Sequence, residues 1–418
     1  LSDIQEPRLS RNLADEWGCP TGRQFQRVCS TMKLGVVKEA DGETRVAIVP
    51  GSMKKLKKMG FEVLVESGAG ISSHHHDSEY TDAGATVTDR ATALSADIVI
   101  SIGMPELSGM KGGQMVACVS DPFRNPERVK EAMDAKITLF SMDMIPRRIS
   151  RAQAMDVNSS QDNLAGYKAV LTGAAHAPKG IPMMTTSAGT VRPAKFVIMG
   201  SGVAGLQAIA TAKRLGAIVY ASDVRKSAAE QIESVGGRFI EVDGMDDFED
   251  ESGYAKPLTP EFIQKVNDTV CEVASDADVI VTTARIFGRP APITVPASAV
   301  VNFKPGSVVV DMNADVGGNC ELTEVGKITQ TDNGVTIVGT PNLAGQLAST
   351  ASMLYSNNLT TFVASLVKEG ELTLDLEDDI LVGSPEGSEF HIPGMGGVLI
   401  CTGGTMHEKQ TRLGEVVQ

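Results

Sequence analysis

The chain has 418 residues, 42% of them hydrophobic and 22% charged, which is enough for two α/β cores and excludes a disordered or fibrous class. Its 52 acidic and 38 basic residues give a formal charge of -14 with no basic block, which argues against nucleic-acid binding, since that depends on phosphate neutralisation. No apolar run approaches the roughly 18 to 20 residues that span a bilayer, so the chain is expected to be soluble.

Residues 1–32 mix arginines with Asp3, Glu6, Asp15 and Glu16 and have no apolar centre. They read as an N-terminal extension, neither a secretory signal nor an acid-poor transit peptide. From Met32 onward, short β-branched runs alternate with helical ones. Strands are predicted at 33–37, 62–65, 97–102, 115–119 and 137–141, with a helix at 53–59. After a Gly/Pro-rich stretch at 173–193 a second series begins: strand 195–199, helix 203–215, strand 218–222, helix 225–235, then strands near 278–281, 307–311 and 335–338. A long helical pattern at 343–367 is expected to cross back to the first series. Such repetition implies two doubly wound, mostly parallel sheets of Rossmann type with a cleft between them. The first domain is expected at 33–160 plus 345–418 and the second at 161–344. The six cysteines, Cys19, Cys29, Cys118, Cys271, Cys320 and Cys401, are widely spaced and read as reduced thiols.

Within the second series, Gly200-Ser201-Gly202-Val203-Ala204-Gly205 directly follows the apolar strand and opens a helix. Glycine turns are common in loops, and it is this context that makes the turn a dinucleotide site. Gly200 permits the tight turn, Gly202 lets backbone approach a pyrophosphate, and Gly205 brings helix and strand together. About 20 residues on, at the next strand end, Asp223 can accept bonds from ribose hydroxyls and repel a 2′-phosphate, which favours NAD(H). Val224 and Arg225 follow, and Arg225 weakens that preference.

The segment from Pro146 to Gln161 is unusually polar for its place between a strand and a helix. Taken alone it reads as a solvated loop with helix caps at Ser159 or Ser160. Followed by Asp162-Asn163-Leu164-Ala165-Gly166-Tyr167-Lys168, however, it resembles the signature loop of the NAD(H)-binding component of proton-translocating NAD(P) transhydrogenase. The likeness runs from Met32 to about Phe362. It includes Lys38-Glu39, Gly42-Glu43-Thr44-Arg45-Val46-Ala47, Asp223-Val224-Arg225, Gly253-Tyr254-Ala255-Lys256, Gly317-Gly318-Asn319 and Leu354-Tyr355-Ser356-Asn357-Asn358.

The resemblance implies that Ser159 bonds the nicotinamide carboxamide, that Arg148 and Asp156 fix the loop and ring, and that Gln153 faces the partner nucleotide. It also implies that Gly253 and Tyr254 belong to a loop closing over the nucleotide, and that Ala284 and Arg285 lie along the cofactor. Arg285, Phe287 and Asn313-Ala314-Asp315 depart from the usual pattern. The resemblance further implies a homodimer, NADP(H) carried on a partner domain, and a membrane-spanning proton-channel domain. The chain would then be peripheral to a membrane complex, on the mitochondrial matrix side or the bacterial cytoplasmic side.

Hydride transfer between two nicotinamides needs no general acid or base, only positioning. Alanine dehydrogenase, which is similar in fold, needs a Lys and a His. Here the corresponding strand ends read Gly103-Met104-Pro105 and Ser120-Asp121-Pro122. Arg45, which grips substrate carboxylate in that family, occurs in both groups. The alternatives are therefore an alanine dehydrogenase-like oxidoreductase or a catalytically silent NAD-binding subunit. The run His74-His75-His76-Asp77 reads as a loop without metal.

Overall fold

The computed structural model describes residues 31–244, 259–286, 288–388 and 390–417. The extension, Gly253, Tyr254 and Phe287 lie outside the described residues. From Met32 onward the described chain builds two large sheets and two small two-stranded ones.

The first has eight strands, in spatial order Thr405–Met406, Leu399–Thr402, Thr138–Ser141, Met115–Val119, Ile98–Gly103, Met32–Val36, Phe61–Glu66 and Thr86–Thr88. The second has seven, in the order Arg238–Phe239, Ile218–Ser222, Lys195–Met199, Val279–Thr282, Val308–Asp311, Thr336–Val338 and Ile328–Gln330. The central strands are parallel because they are apolar on both faces: Ile98 to Ile100, Phe196 to Ile198 and Val308 to Val310 are all fully buried. Antiparallel pairing is confined to one edge of each sheet. Strand order reverses at Met32–Val36 in the first sheet and at Lys195–Met199 in the second, and ligands of doubly wound sheets bind at such reversals.

Most expected elements occur within a residue or two of their predicted ends, while the helix expected at 225–235 shortens to Ala228–Ser234. The pattern reading passed over the helix Pro260–Ala274, although Thr259 caps it by accepting from Phe262 N–H and a proline opens it. It also passed over the terminal hairpin that completes the first sheet.

Two helices cross between the sheets. Ala348–Leu366 returns to the first core, burying Tyr355, Leu359, Phe362, Val363 and Leu366. The Tyr355 hydroxyl donates to the Ser101 carbonyl at 3.0 Å, and Phe362 meets Phe140 edge-to-face at 5.3 Å. Ser352 and Ser356 accept from the Val46 and Val49 amides, which fixes the loop behind the first strand. The helix is therefore largely consumed within the chain's own core, and Met353 is its large apolar side chain left exposed.

The other crossing helix, Val157–His176, lies against Val203–Arg214. Their backbones approach so closely that a Cβ on Gly166 would sit 2.1 Å from the Ala204 carbonyl oxygen. Asn163 Nδ2 donates to Gln207 Oε1 across the same seam at 3.2 Å. At the glycine turn itself, a Cβ on Gly205 would sit 2.0 Å from the Gly200 carbonyl oxygen. Both obstacles are main chain, which cannot swing aside as a side chain can. Gly166→Ala and Gly205→Ala are expected to lower stability by about 1 to 3 kcal/mol each. Gly51→Ala, at an exposed site where a Cβ meets nothing within 4 Å, should stay within about 0.5 kcal/mol. Denaturant midpoints compare the three.

Candidate functional site

The glycine turn occupies the carboxyl end of strand Lys195–Met199. Gly200 has φ +101, and a Cβ there would also strike Thr283 Oγ1 at 2.5 Å, so glycine is required on two counts. Around Gly202 the opposite holds, because a Cβ would meet nothing within 4 Å. That open space faces the start of the helix Val203–Arg214, which has no side-chain cap and no acidic residue in its first turn. Its amide dipoles present partial positive charge to any anion placed there.

Asp223 follows the neighbouring strand, and its carboxylate is already engaged. It accepts from the Ser201 amide at 3.0 Å and hydroxyl at 2.7 Å, and from the Arg225 amide at 3.0 Å, Nε at 2.9 Å and Nη2 at 3.2 Å. Burial works to raise this carboxyl, but hydrogen bonds from Arg225 and Ser201 and the guanidinium charge outweigh it and hold it below the ordinary value. Asp223 is thus charged and rigidly aimed, with half-buried Val224 between the pair. The adjacent guanidinium also offsets the repulsion by which Asp223 alone would reject a 2′-phosphate.

The polar segment folds as a 3₁₀ turn, Ser150–Met155, leading into the helix Val157–His176. The cap is Asp156, one turn earlier than the caps expected at Ser159 or Ser160. Its carboxylate accepts from the Ser159 amide at 2.9 Å and from the Ser159 hydroxyl. An ionised carboxylate accepts more strongly than a hydroxyl, so it takes the cap position and leaves Ser159 as the third helical residue. Because the Ser159 proton is committed to Asp156, what that hydroxyl offers a ligand is lone pairs.

Gln153 is exposed, and the carbonyl beside it, of Ala154, is held by Asn358 Nδ2 at 2.8 Å. The guanidinium of Arg148 lies over the Phe390 ring, 5.9 Å from its centroid, and Arg151 pairs with Asp378 and Asp379.

Ala284 and Arg285 come to the same region from the second sheet. The Ala284 carbonyl accepts from Asn313 Nδ2 at 3.0 Å and Asn319 Nδ2 at 2.8 Å. The fully buried Asp311 anchors that pair by accepting from the Asn313, Asn319 and Cys320 amides. Asn313, a departure from the expected pattern, therefore has a definite structural task. Arg285 is exposed and interacts electrostatically with Asp162, on the first helical turns after Asp156. Burial raises the Asp162 carboxyl, while Arg285 and Arg147 oppose the rise. Asp162 stood in the sequence only as part of the signature segment and Asp311 only as a strand end, since each gains its role from residues more than a hundred positions away or from a buried network.

A polar cavity of about 120 Å³ lies at the carboxyl end of the first sheet, lined by Lys38, Glu39, Glu43, Arg45 and Ser72 among others. Arg45 donates from Nε and Nη2 to Glu43 at 2.8 and 2.7 Å, and from Nη1 to Gln161 Oε1 at 2.9 Å. Asn342 Nδ2 holds Glu43 from the other side at 3.1 Å. Glu39 accepts from the Ile102 and Gly103 amides at 2.6 and 3.2 Å, and burial pushes its carboxyl up to about 7 despite those bonds.

Two family models match the chain: the N-terminal domain of alanine dehydrogenase/PNT over residues 35–165 and the C-terminal domain of the same family over residues 169–386. The chain is 45% identical over 368 residues to an NAD(P) transhydrogenase subunit alpha protein of Rhodospirillum rubrum, covering 84% of this chain and 95% of that protein. It is 26% identical over 366 residues to an alanine dehydrogenase of Methanococcus maripaludis, covering 84% and 91%. Among solved structures, a transhydrogenase from Sinorhizobium meliloti superposes with a TM-score of 0.78 at 43% identity, covering 90% of this chain and 99% of that one.

Because Glu39 is raised, the folded chain holds its proton more tightly than the unfolded chain does. The stability this contributes is full below about pH 4.5 and falls as pH rises towards 7. Glu39→Gln is expected to remove that fall, on the order of 3 kcal/mol, so the difference between variant and parent in denaturant unfolding grows between pH 5 and 8. A pH-independent difference would show that Glu39 titrates normally.

Proposed function

The chain belongs to the alanine dehydrogenase/PNT family, and from that membership we propose that it is the NAD(H)-binding component of a proton-translocating NAD(P) transhydrogenase, presenting NADH to NADP+ held by a partner domain. The observation that carries this reading over amino-acid oxidation is the state of Arg45. Its guanidinium is spent on Glu43 and Gln161, so a substrate carboxylate could bind only by breaking a partly buried pair, which is costly. The strand ends Gly103-Met104-Pro105 and Ser120-Asp121-Pro122 also lack the Lys and His that protonating an amino-acid substrate requires.

In this reading the open space above Gly202 takes the pyrophosphate, with Gly200, Ser201, Val203 and Gly205 shaping the turn. Asp223 takes the adenosine ribose, sharing its acceptor sites with Ser201 and Arg225. At the nicotinamide end, Ser159 offers lone pairs to the carboxamide N–H₂, Asp156 fixes Ser159, and Arg148 braces the loop. Ala284 and Arg285 flank the ring from the second sheet, and Gln153 points outward to the second nucleotide. The site supplies positioning and asks for no proton transfer, as ring-to-ring hydride transfer requires.

The membrane and NADP(H)-binding partners belong to the same proposal, as does peripheral attachment to a membrane complex. No described helix is long and apolar enough to cross a membrane. For the homodimer, the surface that supports pairing is the exposed hairpin of Met184–Thr186 and Gly189–Val191, which shows Met183, Met184 and Val191 to solvent. The domain division at 160/161 and 344/345 is retained on the same footing.

Mixing the chain with an NADP-binding domain from a relative tests the reading. NADH should exchange hydride with an NADP analogue. Gln153→Ala should slow that exchange about tenfold while NADH affinity stays within about twofold. NADH binding without exchange would leave a silent binding subunit, and turnover with pyruvate and ammonia would establish an alanine dehydrogenase. Asp223→Asn should weaken NADH by about 1.5 to 3 kcal/mol in fluorescence titration. Unchanged affinity would remove Asp223 from the ribose site.

A further inference from the structure

We propose that residues 378–388 and Phe390 act as a strap that sets the position of the loop 147–156, with Asp378, Asp379 and Phe390 as positioning residues. The strap's consequence for hydride transfer rests on the functional reading above.

The strap is anchored before it reaches the loop. Asp378 caps the short helix Asp379–Val382 by accepting from the Ile380 amide at 2.8 Å, and Ile380, Leu381 and Val382 are buried in the first core. The chain then leaves through Gly383, at φ +88, and returns at Gly396 and Gly397. A Cβ on Gly383 would meet Gly396 backbone at 2.8 Å, and one on Gly397 would meet the Ile380 carbonyl oxygen at 2.2 Å.

The chain entering and leaving the Phe390 region is thus closed backbone on backbone, Gly383 against Gly396 and Ile380 against Gly397. Gln410 seals the base by donating to the Gly397 and Leu399 carbonyls at 2.9 and 3.0 Å and accepting from the Gly396 amide at 3.1 Å. Lys409 Nζ adds a bond to the Gly383 carbonyl at 2.9 Å. A loop with joined ends that packs its own side chains is a compact, fixed element. Phe390 is half-buried against the first core and turns its face to Arg148.

Two contacts reach from this element to the loop. Phe390 meets Arg148, and Asp378 and Asp379 meet Arg151, with Asp378 receiving Nη1 at 3.1 Å and Nη2 at 2.6 Å. Arg148 lies just before the 3₁₀ turn Ser150–Met155 and Arg151 lies within it, so the two contacts hold the turn that carries Gln153 both at its entry and on its first residues. Neither contact touches the groups assigned to the pyrophosphate, the ribose or the carboxamide; Arg148 enters only as the residue that fixes the loop. Loosening them should therefore disturb alignment of the rings and leave ground-state binding largely intact. Phe390 also lies past the residues matched by the family models.

The test uses the full chain with three substitutions. Phe390→Leu keeps an apolar body but loses the ring face, Phe390→Tyr keeps both, and Asp379→Asn weakens the Arg151 pair without touching the helix cap. Amide hydrogen exchange should accelerate at least about threefold at residues 150–156 in Phe390→Leu and Asp379→Asn, with Phe390→Tyr like the parent and the glycine turn unaffected. With an NADP-binding domain present, the first two should lower the hydride-transfer rate at saturating NADH about tenfold with NADH affinity within about twofold, and Phe390→Tyr should restore it.

Parental exchange at 150–156 in both variants overturns the strap, as does a rate loss that Phe390→Tyr shares equally. If Phe390→Leu unfolds, Asp379→Asn decides alone. Exchange that accelerates as expected in the two variants, while the parent protein transfers no hydride, would overturn the functional reading and leave the strap standing.

Discussion

Two main-chain contacts with no room for a Cβ, Gly166 against Ala204 and Gly205 against Gly200, hold the rest of the site in register. The second presses the nucleotide helix onto its strand, so that its uncapped N-terminus meets the open space above Gly202. The first locks the crossing helix Val157–His176 onto that same N-terminal turn. Because Gly166 lies ten residues past Asp156, the contact sits about 15 Å along the axis from the nicotinamide-end cap. A rigid helix of that length turns one glycine contact into a fixed spacing between the glycine turn and the Asp156 cap, the two places proposed for the phosphates and the ring. Backbone contacts suit this purpose because they have no rotamers through which to relax.

The charges around the cleft follow a common plan. Asp223 is held by Ser201 and Arg225, Arg45 by Glu43 and Gln161, and Asp156 by Ser159, so each strong charge has a partner from its own chain. Such pairs contribute little net stability once desolvation is counted, but they fix direction. The hydride transfer proposed for the site would gain from dipoles that need not reorganise and would lose little by having no free acid or base. The same pairing makes the cavity beside Arg45 a poor place for a carboxylate substrate.

Glu39 fits the plan differently. Its carboxyl receives two backbone amides at the end of the strand Ile98–Gly103 but has no cation bonded to it, and burial prevails. It ties the loop after the first strand to the reversal point of the first sheet while carrying a proton near neutrality. The four described cysteines, by contrast, are buried thiols pushed upward by desolvation, and as such are poor nucleophiles.

The parallel strands, the glycine turn and the polar segment were legible in the sequence because each depends on neighbours within a few residues. Doubly buried strands must be continuous apolar runs, and a turn that brings helix and strand backbones together must place glycine at Gly200 and Gly205. The position of the helix cap was not legible, since Asp156, Ser159 and Ser160 are all acceptable caps locally and only the folded backbone ranks them. The terminal strand was invisible for a different reason: its partner lies far away, with Thr138 bonded to Thr402 across 264 positions. The occupation of Asp223 by Arg225, the arrest of Arg45 by Gln161 and the bracing of Arg148 by Phe390 were decided only in three dimensions. Sequence by itself determined which residues could carry charge, hydrogen bonds and tight turns. The tertiary structure decided which of those capacities were already satisfied, because satisfaction depends on distance, and distance between remote residues is set by packing alone.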